Sequence, residues 1–374
     1  MRRFTRLTIK HHHRRRLCLR QLDSRPHHST ITTFSHPAKP FQTHPTPSTF
    51  AQTWTDPQSR TPTKFPSPTF TPHIPALTTW FLPPNHPNQL NIPYLLSLAS
   101  SSTSQVPLEL TLPNGETDVT CLPFTAFLGY LSAPSIHPSA PRLYLAQHPP
   151  PDYLSNDLPS PFPHLGFQIR SSRTTTQTSQ TSQTDENKNN SKNKPPEIDI
   201  YTTSLWLSRS SHQTHTPLHR DPNDNIFLQL SSSKIIRVIP PKLGDLVFKT
   251  LHSAGRLSST DPTGRIRDGL LTGKESGVMD RVIWGDYHHN HHNQPEEEWE
   301  EEGEEEGEED IESQISAHIS ASGEVYQTVV EKGEAVYIPA GWWHSVKSVL
   351  PEDVEEMESK GVTTVVGSMN WWFR

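Results

Sequence analysis

The apolar residues of the chain occur in short runs that proline, glycine and polar segments separate. Residues 108–112 (LELTL) alternate strictly and are followed by Pro-Asn-Gly, which predicts a strand and a tight turn. The same criteria predict strands at residues 142–146, 200–207, 226–230, 235–239, 323–330, 335–338 and 362–372, and a short helix at 124–131. Because few segments have a helical period, the pattern predicts an all-β core, as in a barrel or a sandwich.

Three polar segments set the predicted domain boundaries. Residues 1–75 are basic at first and then rich in Pro, Ser and Thr, so we expect them to be disordered. Residues 171–196 contain no apolar side chain apart from two prolines, and residues 286–312 contain a histidine cluster and an acidic run. We therefore expect one folded domain at residues 76–374, interrupted by two solvated insertions.

Composition supports the prediction of a partly folded chain. Only 31% of the residues are hydrophobic and 37 are proline, whereas globular domains have about 45–50% apolar residues, glycine included. The net charge of −7 depends on twelve acidic residues between Glu296 and Asp310, without which the chain is net positive. No segment predicts a uniformly basic face, so the composition gives no strong signal for a nucleic-acid partner.

The second insertion contains two motifs that could have a function. The acidic run is expected to be a solvated charge block, with docking of a basic partner as the alternative. The His288–His292 cluster invites a metal assignment, but no apolar residue anchors it, so we expect a loop.

The N-terminal residues bear on the compartment. The first 55 residues hold ten Lys or Arg and a single acid, Asp23, which is typical of a mitochondrial transit peptide. The alternative is a basic tail or a nuclear signal at Arg14–Arg16, in a nuclear or cytoplasmic protein. Cys18 and Cys121 lie far apart in unlike surroundings, which favours a reducing compartment. No apolar run approaches the roughly 20 residues of a membrane span, so we expect no membrane partner.

Candidate metal ligands lie near the end of a predicted strand. His219 and Asp221 are two positions apart, so a strand places both on one face and Arg220 on the other. His344 follows an apolar strand and a Pro-Ala-Gly turn, which would bring it to the mouth of the barrel. Two histidines and a carboxylate with open positions form the ligand set of non-haem Fe(II). An His-x-Asp pair alone is weak evidence for a metal site, because the chain has 22 histidines. The predicted strands, the turn and Lys234 strengthen this evidence.

Four motifs in this order resemble the JmjC family of the cupin superfamily: Thr216–Asp221, Asn225–Leu230, Lys234–Pro241 and Tyr337–His344. The pattern is most similar to small JmjC hydroxylases, such as the asparaginyl hydroxylase that inhibits the hypoxia-inducible factor. The resemblance covers residues 105–374 and implies a double-stranded β-helix, that is, a jelly-roll barrel. It also implies Fe(II) bound by His219, Asp221 and His344, with 2-oxoglutarate and O₂ as cosubstrates.

The resemblance assigns roles to further residues. It makes Lys234 the partner of the distal carboxylate of 2-oxoglutarate, and Thr216 a hydrogen-bond donor to the same group. A buried lysine would need such an anion, although strand alternation leaves open that Lys234 points outward. Tyr144, Asn225 and Asn370 match residues that line the cosubstrate or iron pocket, and Trp372 an aromatic beside it. Each of these four could instead be an ordinary buried core residue.

The implied activity is Fe(II)- and 2-oxoglutarate-dependent hydroxylation, with a protein side chain as the expected substrate. Within the family, N-methyl-lysine demethylation and hydroxylation of a tRNA base remain alternatives, although no Cys/His zinc module accompanies the motifs. A cupin that binds a ligand without turnover and a Zn or Mn cupin isomerase are alternatives from other classes. The chain ends directly after its last predicted strand, without the helices through which the asparaginyl hydroxylase dimerises, so we expect a monomer.

Overall fold

The computed structural model describes residues 38–44, 46–83, 88–99, 104–134, 136–137, 139–170, 194–257, 278–279, 282–284 and 308–374. They belong to one compact unit, Phe34–Arg374. The basic N-terminal residues, the His288–His292 cluster and most of the acidic run lie outside the described residues. The expectations for a transit peptide and for the acidic loop therefore stay predictions.

The described residues form sixteen strands: β1 (Lys39–Pro40), β2 (Gln42–Thr43), β3 (Thr63–Phe65), β4 (Gln105–Thr111), β5 (Thr117–Pro123), β6 (Arg142–His148), β7 (Gln168–Ile169), β8 (Glu197–Ile198), β9 (Ile200–Arg209), β10 (His215–Arg220), β11 (Asp224–Ser231), β12 (Ser233–Ile239), β13 (Tyr326–Glu331), β14 (Ala335–Ile338), β15 (Trp343–Ser348) and β16 (Val365–Phe373). The helices are α1 (Phe50–Trp54), α2 (Ala76–Thr79), α3 (Ile92–Ala99), α4 (Phe124–Ser132), α5 (Pro241–Ser253), α6 (Glu308–Ser322) and α7 (Val354–Ser359). Short 3-10 turns span Pro47–Thr49, Pro57–Ser59, Ser67–Thr69, Asp152–Leu154 and Phe162–Leu165.

Two sheets build the double-stranded β-helix. The smaller sheet has the order β1-β13-β12-β15-β10, and the larger one has the order β2-β3-β14-β11-β16-β9-β6-β4-β5. Side chains of both sheets line one common cavity, which shows that the sheets face each other. The predicted all-β jelly-roll core is therefore confirmed. The predicted strand at residues 108–112 lies in β4, and Gly115 in the turn after it has the left-handed φ of 84° that a glycine tolerates.

The hydrophobic core has one part between the sheets and one part outside each of them. Phe227, Ile236 and Val346 pack between the sheets. Outside the smaller sheet, α5, α6 and the segment with Trp284 cover Leu218 and Trp343. None of the helices among the described residues is long and apolar enough to span a bilayer.

Residues 38–75 differ from their prediction as disordered chain. Strand β3 extends the larger sheet, with Thr63 opposite Tyr337 of β14, and Phe50, Phe65 and Phe70 are buried in the core. The sequence hides this because the aromatics are buried one at a time between short turns, so they follow neither a helical nor a strand period. Residues before position 76 therefore belong to the folded domain, which does not begin at residue 76.

The insertions also end differently from their predicted bounds. Residues 194–196, at the end of the predicted first insertion, already belong to the fold and lead into β8. Helix α6 begins at Glu308, within the predicted second insertion. The sequence underestimates helices in general, since α5 buries Leu243, Val247 and Leu251 at a spacing of four residues, which is one face of a helix.

Candidate metal centre

Antiparallel pairing of β10 with β15 brings two histidines together that lie far apart in the sequence. His219 and His344 are direct partners in the register of this pair, and their ring centroids are 4.2 Å apart. Asp221 follows the end of β10. One ligand atom from each of His219, Asp221 and His344 lies within 4.8 Å of the others, so the structure brings together the three residues that the sequence singled out.

A bulge in β10 directs Thr216 toward the same side as His219. Thr216 pairs with Val346 and His219 pairs with His344, so three positions on β10 match two on β15. Regular alternation would turn Thr216 away from His219, but the extra residue restores it to the inner side. Leu218 accordingly packs in the outer core, whereas Thr216 and His219 both line the cavity.

Both imidazoles have the orientation of metal ligands. Nδ1 of His219 lies 2.8 Å from the carbonyl oxygen of Pro217, and Nδ1 of His344 lies 3.1 Å from that of Trp342. A carbonyl only accepts, so each Nδ1 carries a hydrogen, and in the neutral imidazole the lone pair of Nε2 is then free to bind a metal. Burial, reinforced by the neighbouring His219, lowers the pKa of His344 to about 4, which keeps its imidazole neutral.

The carboxylate of Asp221 completes the set and is fixed by a tryptophan. Its Oδ1 lies 4.0 Å from His219 Nε2, and its Oδ2 lies 3.6 Å from His344 Nε2. The indole of Trp372 donates a hydrogen bond of 2.7 Å to Oδ2, so Trp372 lies beside the site as the resemblance implies. Two imidazoles and one carboxylate at these separations fit a divalent cation, and three protein ligands leave coordination positions for other molecules.

The triad opens into a cavity between the sheets that contains a buried lysine. The cavity has a volume of about 520 Å³ including its open mouth. Lys234 lines it with its side chain buried, and Nζ donates to Ser368 Oγ at 3.1 Å. Nζ also lies 5.7 Å from the Trp206 ring and 5.6 Å from the Phe227 ring. Burial lowers the pKa of Lys234 to about 7, and no carboxylate of the described residues pairs with it.

The remaining predicted residues occupy different places. Thr216, Asn225 and Asn370 line the cavity, and Asn370 Nδ2 donates to Asn225 Oδ1 at 2.9 Å. Tyr144 is not among the lining residues. Its ring packs 6.0 Å from the ring of Trp206, which does line the cavity, so Tyr144 lies next to the cavity wall.

Several residues at the cavity were not predicted from the sequence. Ser368 could have been found, because it alternates with Asn370 and Trp372 on one strand. Trp206 and Gln147 gave no such signal. Gln147 lies within an irregularity in the pairing of β6 with β9 and has a left-handed φ of 49°, which its type rarely adopts.

Helix α5 is hydrogen-bonded to the outer side of β10 and β15, the strands that carry His219 and His344. Arg220, which points away from the triad, donates to Asp245 Oδ1 at 2.5 Å. The same oxygen accepts a hydrogen bond of 2.9 Å from the Trp343 indole. Arg220 and Trp343 are next to metal-ligand residues in the sequence and are partners in the β10–β15 register. Asp245 of α5 therefore connects β10 to β15 by hydrogen bonds to both.

The sequence also matches a known family. Residues 114–374 match the family described as Cupin-like domain, which is more than half of the chain and includes the triad, Lys234 and both asparagines. A search of curated proteins finds no significant match. The family match confirms the resemblance to the cupin and JmjC superfamily, whereas the closer likeness to the asparaginyl hydroxylase stays a prediction. The chain belongs to the Cupin-like domain family.

Proposed function

We propose that the protein is an Fe(II)- and 2-oxoglutarate-dependent dioxygenase that hydroxylates a protein side chain. The observation that supports this most directly is the presence of Lys234 in the same cavity as the triad of His219, Asp221 and His344. A metal-binding cupin without a cosubstrate needs the triad alone. A buried ammonium group beside it indicates that an anion shares the cavity with the metal.

The energetics of Lys234 support an anionic ligand. A buried ammonium group without a counter-charge is costly, and the one hydrogen bond from Nζ to Ser368 leaves two of its three donors for other partners. Trp206 Nε1, in the same cavity wall, is buried and has no hydrogen-bond partner among the described residues. Together with the Thr216 hydroxyl, these groups form a donor-rich wall that suits a carboxylate.

The proposed division of roles follows from this arrangement. A bound Fe(II) ion would supply O₂ activation coupled to oxidation of 2-oxoglutarate to succinate and CO₂. The protein orients the three ligands by hydrogen bonds. The carbonyl groups of Pro217 and Trp342 orient the two imidazoles, and the indole of Trp372 orients the carboxylate. Lys234 anchors and orients the distal carboxylate, and the rings of Trp206 and Phe227 beside Nζ form an aromatic wall at that end.

The substrate class rests on the family resemblance and on the amide groups at the cavity. Gln147, Asn225 and Asn370 all line it, and Asn370 Oδ1 has no partner among the described residues. These groups can hydrogen-bond a polar substrate side chain. Demethylation of N-methyl-lysine and hydroxylation of a tRNA base use the same centre and are distinguished by the products. The monomeric state and the compartment stay predictions.

Anaerobic titration of the full chain with Fe(II) and 2-oxoglutarate tests the proposal. We expect a visible metal-to-ligand charge-transfer band that His219→Ala abolishes, since this change removes a ligand. Lys234→Ala should weaken 2-oxoglutarate binding about 10- to 100-fold, the range for a lost charged hydrogen bond. In air, succinate should form. Mass spectrometry of peptide and tRNA pools then separates gain of oxygen from loss of a methyl group with release of formaldehyde.

Matched variants control for unspecific damage. His164 is an exposed histidine outside the site, and Lys332 packs over the Phe81 ring, with Nζ 4.1 Å from its centroid. His164→Ala and Lys332→Ala should keep the band and the affinity for 2-oxoglutarate. A folded, iron-loaded protein that shows no band and forms no succinate would contradict the proposal and leave a binding cupin.

A further inference from the structure

The turn that leads to His344 is held by two hydrogen bonds from outside the turn. Residues 339–342 connect β14 to β15, and Gly341 in this turn has a φ of 79°. Its amide donates to the carbonyl oxygen of the metal-ligand residue Asp221 at 2.8 Å. The amide of Ala340 donates to Oδ1 of Asp224 at 2.8 Å. The position of His344 therefore depends on the carboxylate of Asp224, which is not a candidate ligand.

Asp224 is a buried carboxylate with four donors around it. Oδ1 accepts from Ala340 N and, at 2.9 Å, from the hydroxyl of Tyr337. Oδ2 accepts from Trp54 Nε1 at 2.8 Å and lies 3.5 Å from Arg60 NH1. Only 4% of the Asp224 side chain is exposed. We call these five residues the Asp224 network.

Two members of the network come from the N-terminal segment that the sequence analysis had placed outside the fold. Arg60 lies over the Trp54 ring, 4.3 Å from its centroid, and its Nε donates to the Trp54 carbonyl at 2.9 Å. Trp54 in turn packs against Phe167 and Phe373, with ring centroids 5.3 Å and 5.7 Å away. Trp54 and Arg60 are therefore held as a rigid pair on the outer side of the larger sheet.

A buried carboxylate remains in place only while its hydrogen bonds and counter-charge are present. Arg60 is the one cation among the described residues that pairs with Asp224, and Trp54 is the second donor to Oδ2. Without them the carboxylate of Asp224 would turn toward water to replace the lost hydrogen bonds. This movement would weaken its hydrogen bond to the Ala340 amide.

We propose that the Asp224 network positions His344, so that the N-terminal segment is part of the metal site although it does not touch the metal. Trp54, Arg60 and Asp224 are positioning residues. The proposal rests on the proposed function only in that the triad binds a divalent cation.

Titration with Co²⁺ under anaerobic conditions tests this without turnover, because the visible Co²⁺ spectrum reports both the affinity and the coordination geometry. Trp54→Phe removes one N–H and keeps an aromatic ring. We expect Co²⁺ to bind about three- to tenfold more weakly with altered bands, a smaller effect than the about 10- to 100-fold usual for partners that contact a ligand directly. Arg60→Gln should act in the same direction.

Trp80 offers a matched control within the same chain. Its Nε1 donates to the buried Asp157 Oδ2 at 2.8 Å. This hydrogen bond joins the same two groups as the Trp54–Asp224 bond, at a place without metal ligands. Trp80→Phe should lower the melting temperature as Trp54→Phe does, but leave the Co²⁺ affinity and spectrum unchanged. Asp224→Asn keeps an oxygen that can accept from Ala340, so it should retain more affinity than Asp224→Ala.

Hydrogen–deuterium exchange of the metal-free protein gives an independent readout. Peptides that cover residues 339–344 should exchange faster in Trp54→Phe and not in Trp80→Phe. Unchanged Co²⁺ binding in Trp54→Phe, or an equal loss in Trp80→Phe, would overturn the positioning role and leave the proposed function intact. If the wild-type chain binds no Co²⁺ that depends on His219, both proposals are overturned together.

Discussion

Lys234 is the residue whose charge matters most for the cavity, and its lowered pKa makes a prediction about pH. In the free protein the pKa is about 7, so the ammonium form is present below pH 7 and is lost above it. A bound carboxylate favours the ammonium form and raises this pKa. Binding of 2-oxoglutarate therefore takes up a proton above pH 7, and its affinity falls by up to about tenfold per pH unit there.

Calorimetry of the metal-loaded protein at two pH values on either side of neutrality, in buffers of different ionisation enthalpy, measures this effect. We expect weaker binding and uptake of up to one proton on the alkaline side. Lys234→Arg is the control, since a guanidinium stays charged over this range and removes the pH dependence. An affinity that is independent of pH, without proton uptake, would contradict an ammonium contact with the cosubstrate.

Among single residues, those that obey a short-range rule are predictable from the sequence. His219 and Asp221 follow strand alternation, and His344 follows a turn that prolines and glycine mark. Lys234 and Thr216 needed the family resemblance, since alternation alone would have turned Thr216 away. The Asp224 network could not be found, because Trp54 and Asp224 are 170 positions apart and no local pattern links them.

At the scale of elements, close packing of α5 on β15 predicts the effect of one glycine substitution. A Cβ at Gly244 would overlap the indole ring of Trp343, the neighbour of His344. Alanine in a helix normally gains about 1 kcal/mol over glycine, whereas overpacking a core costs about 1–3 kcal/mol. We expect the overlap to prevail, so that Gly244→Ala lowers the free energy of unfolding by about 1–2 kcal/mol and also weakens metal binding.

Denaturant unfolding of Gly244→Ala and of Gly129→Ala measures the two contributions separately. Gly129 lies inside α4, and a Cβ there would meet no atom within 4 Å. Gly129→Ala should therefore stabilise the protein by about 0.5–1 kcal/mol through helix propensity alone. Equal stabilisation by both substitutions would mean that α5 can move away from Trp343 without cost.

The elements themselves were predictable to different degrees. Strands β4, β6, β9, β11, β12 and β14 lie where alternation or short apolar runs placed them, because a half-buried or buried strand has a period that the sequence displays. Helix α5 was not predicted even though it begins at the second of two consecutive prolines, since its apolar face is only a narrow stripe of residues. The bulge in β10 depends on pairing with β15, which the sequence of β10 cannot show.

At the scale of the whole molecule, the ordered N-terminal segment predicts where the chain can be shortened. Phe41, Phe50, Phe65, Phe70 and Ile74 are all buried, and each buried side chain of this size contributes about 1.5–3 kcal/mol. Their sum is comparable with the whole stability of a domain, about 5–15 kcal/mol. We expect a protein that begins at residue 76 to lose cooperative unfolding, and one that begins at residue 38 to keep it.

Circular dichroism in the near ultraviolet, followed during heating, compares the two shortened proteins with the full chain. Loss of the near-ultraviolet signal and of a sharp transition is the expected result for the protein from residue 76. If that protein melted sharply at the temperature of the full chain, residues 38–75 would be an accessory layer. The sequence could not predict their place, because prolines and scattered aromatics resemble a linker in composition.

The pairing of His219 with His344 has a consequence for how the molecule could be divided. His219 and Asp221 precede the connection between α5 and α6, and His344 follows it, while each side also contributes strands to both sheets. Two fragments separated between residues 257 and 308 would each hold an incomplete ligand set. Only their reassociation would bring three ligands together, so capture of a metal ion would report that the halves of the barrel had joined.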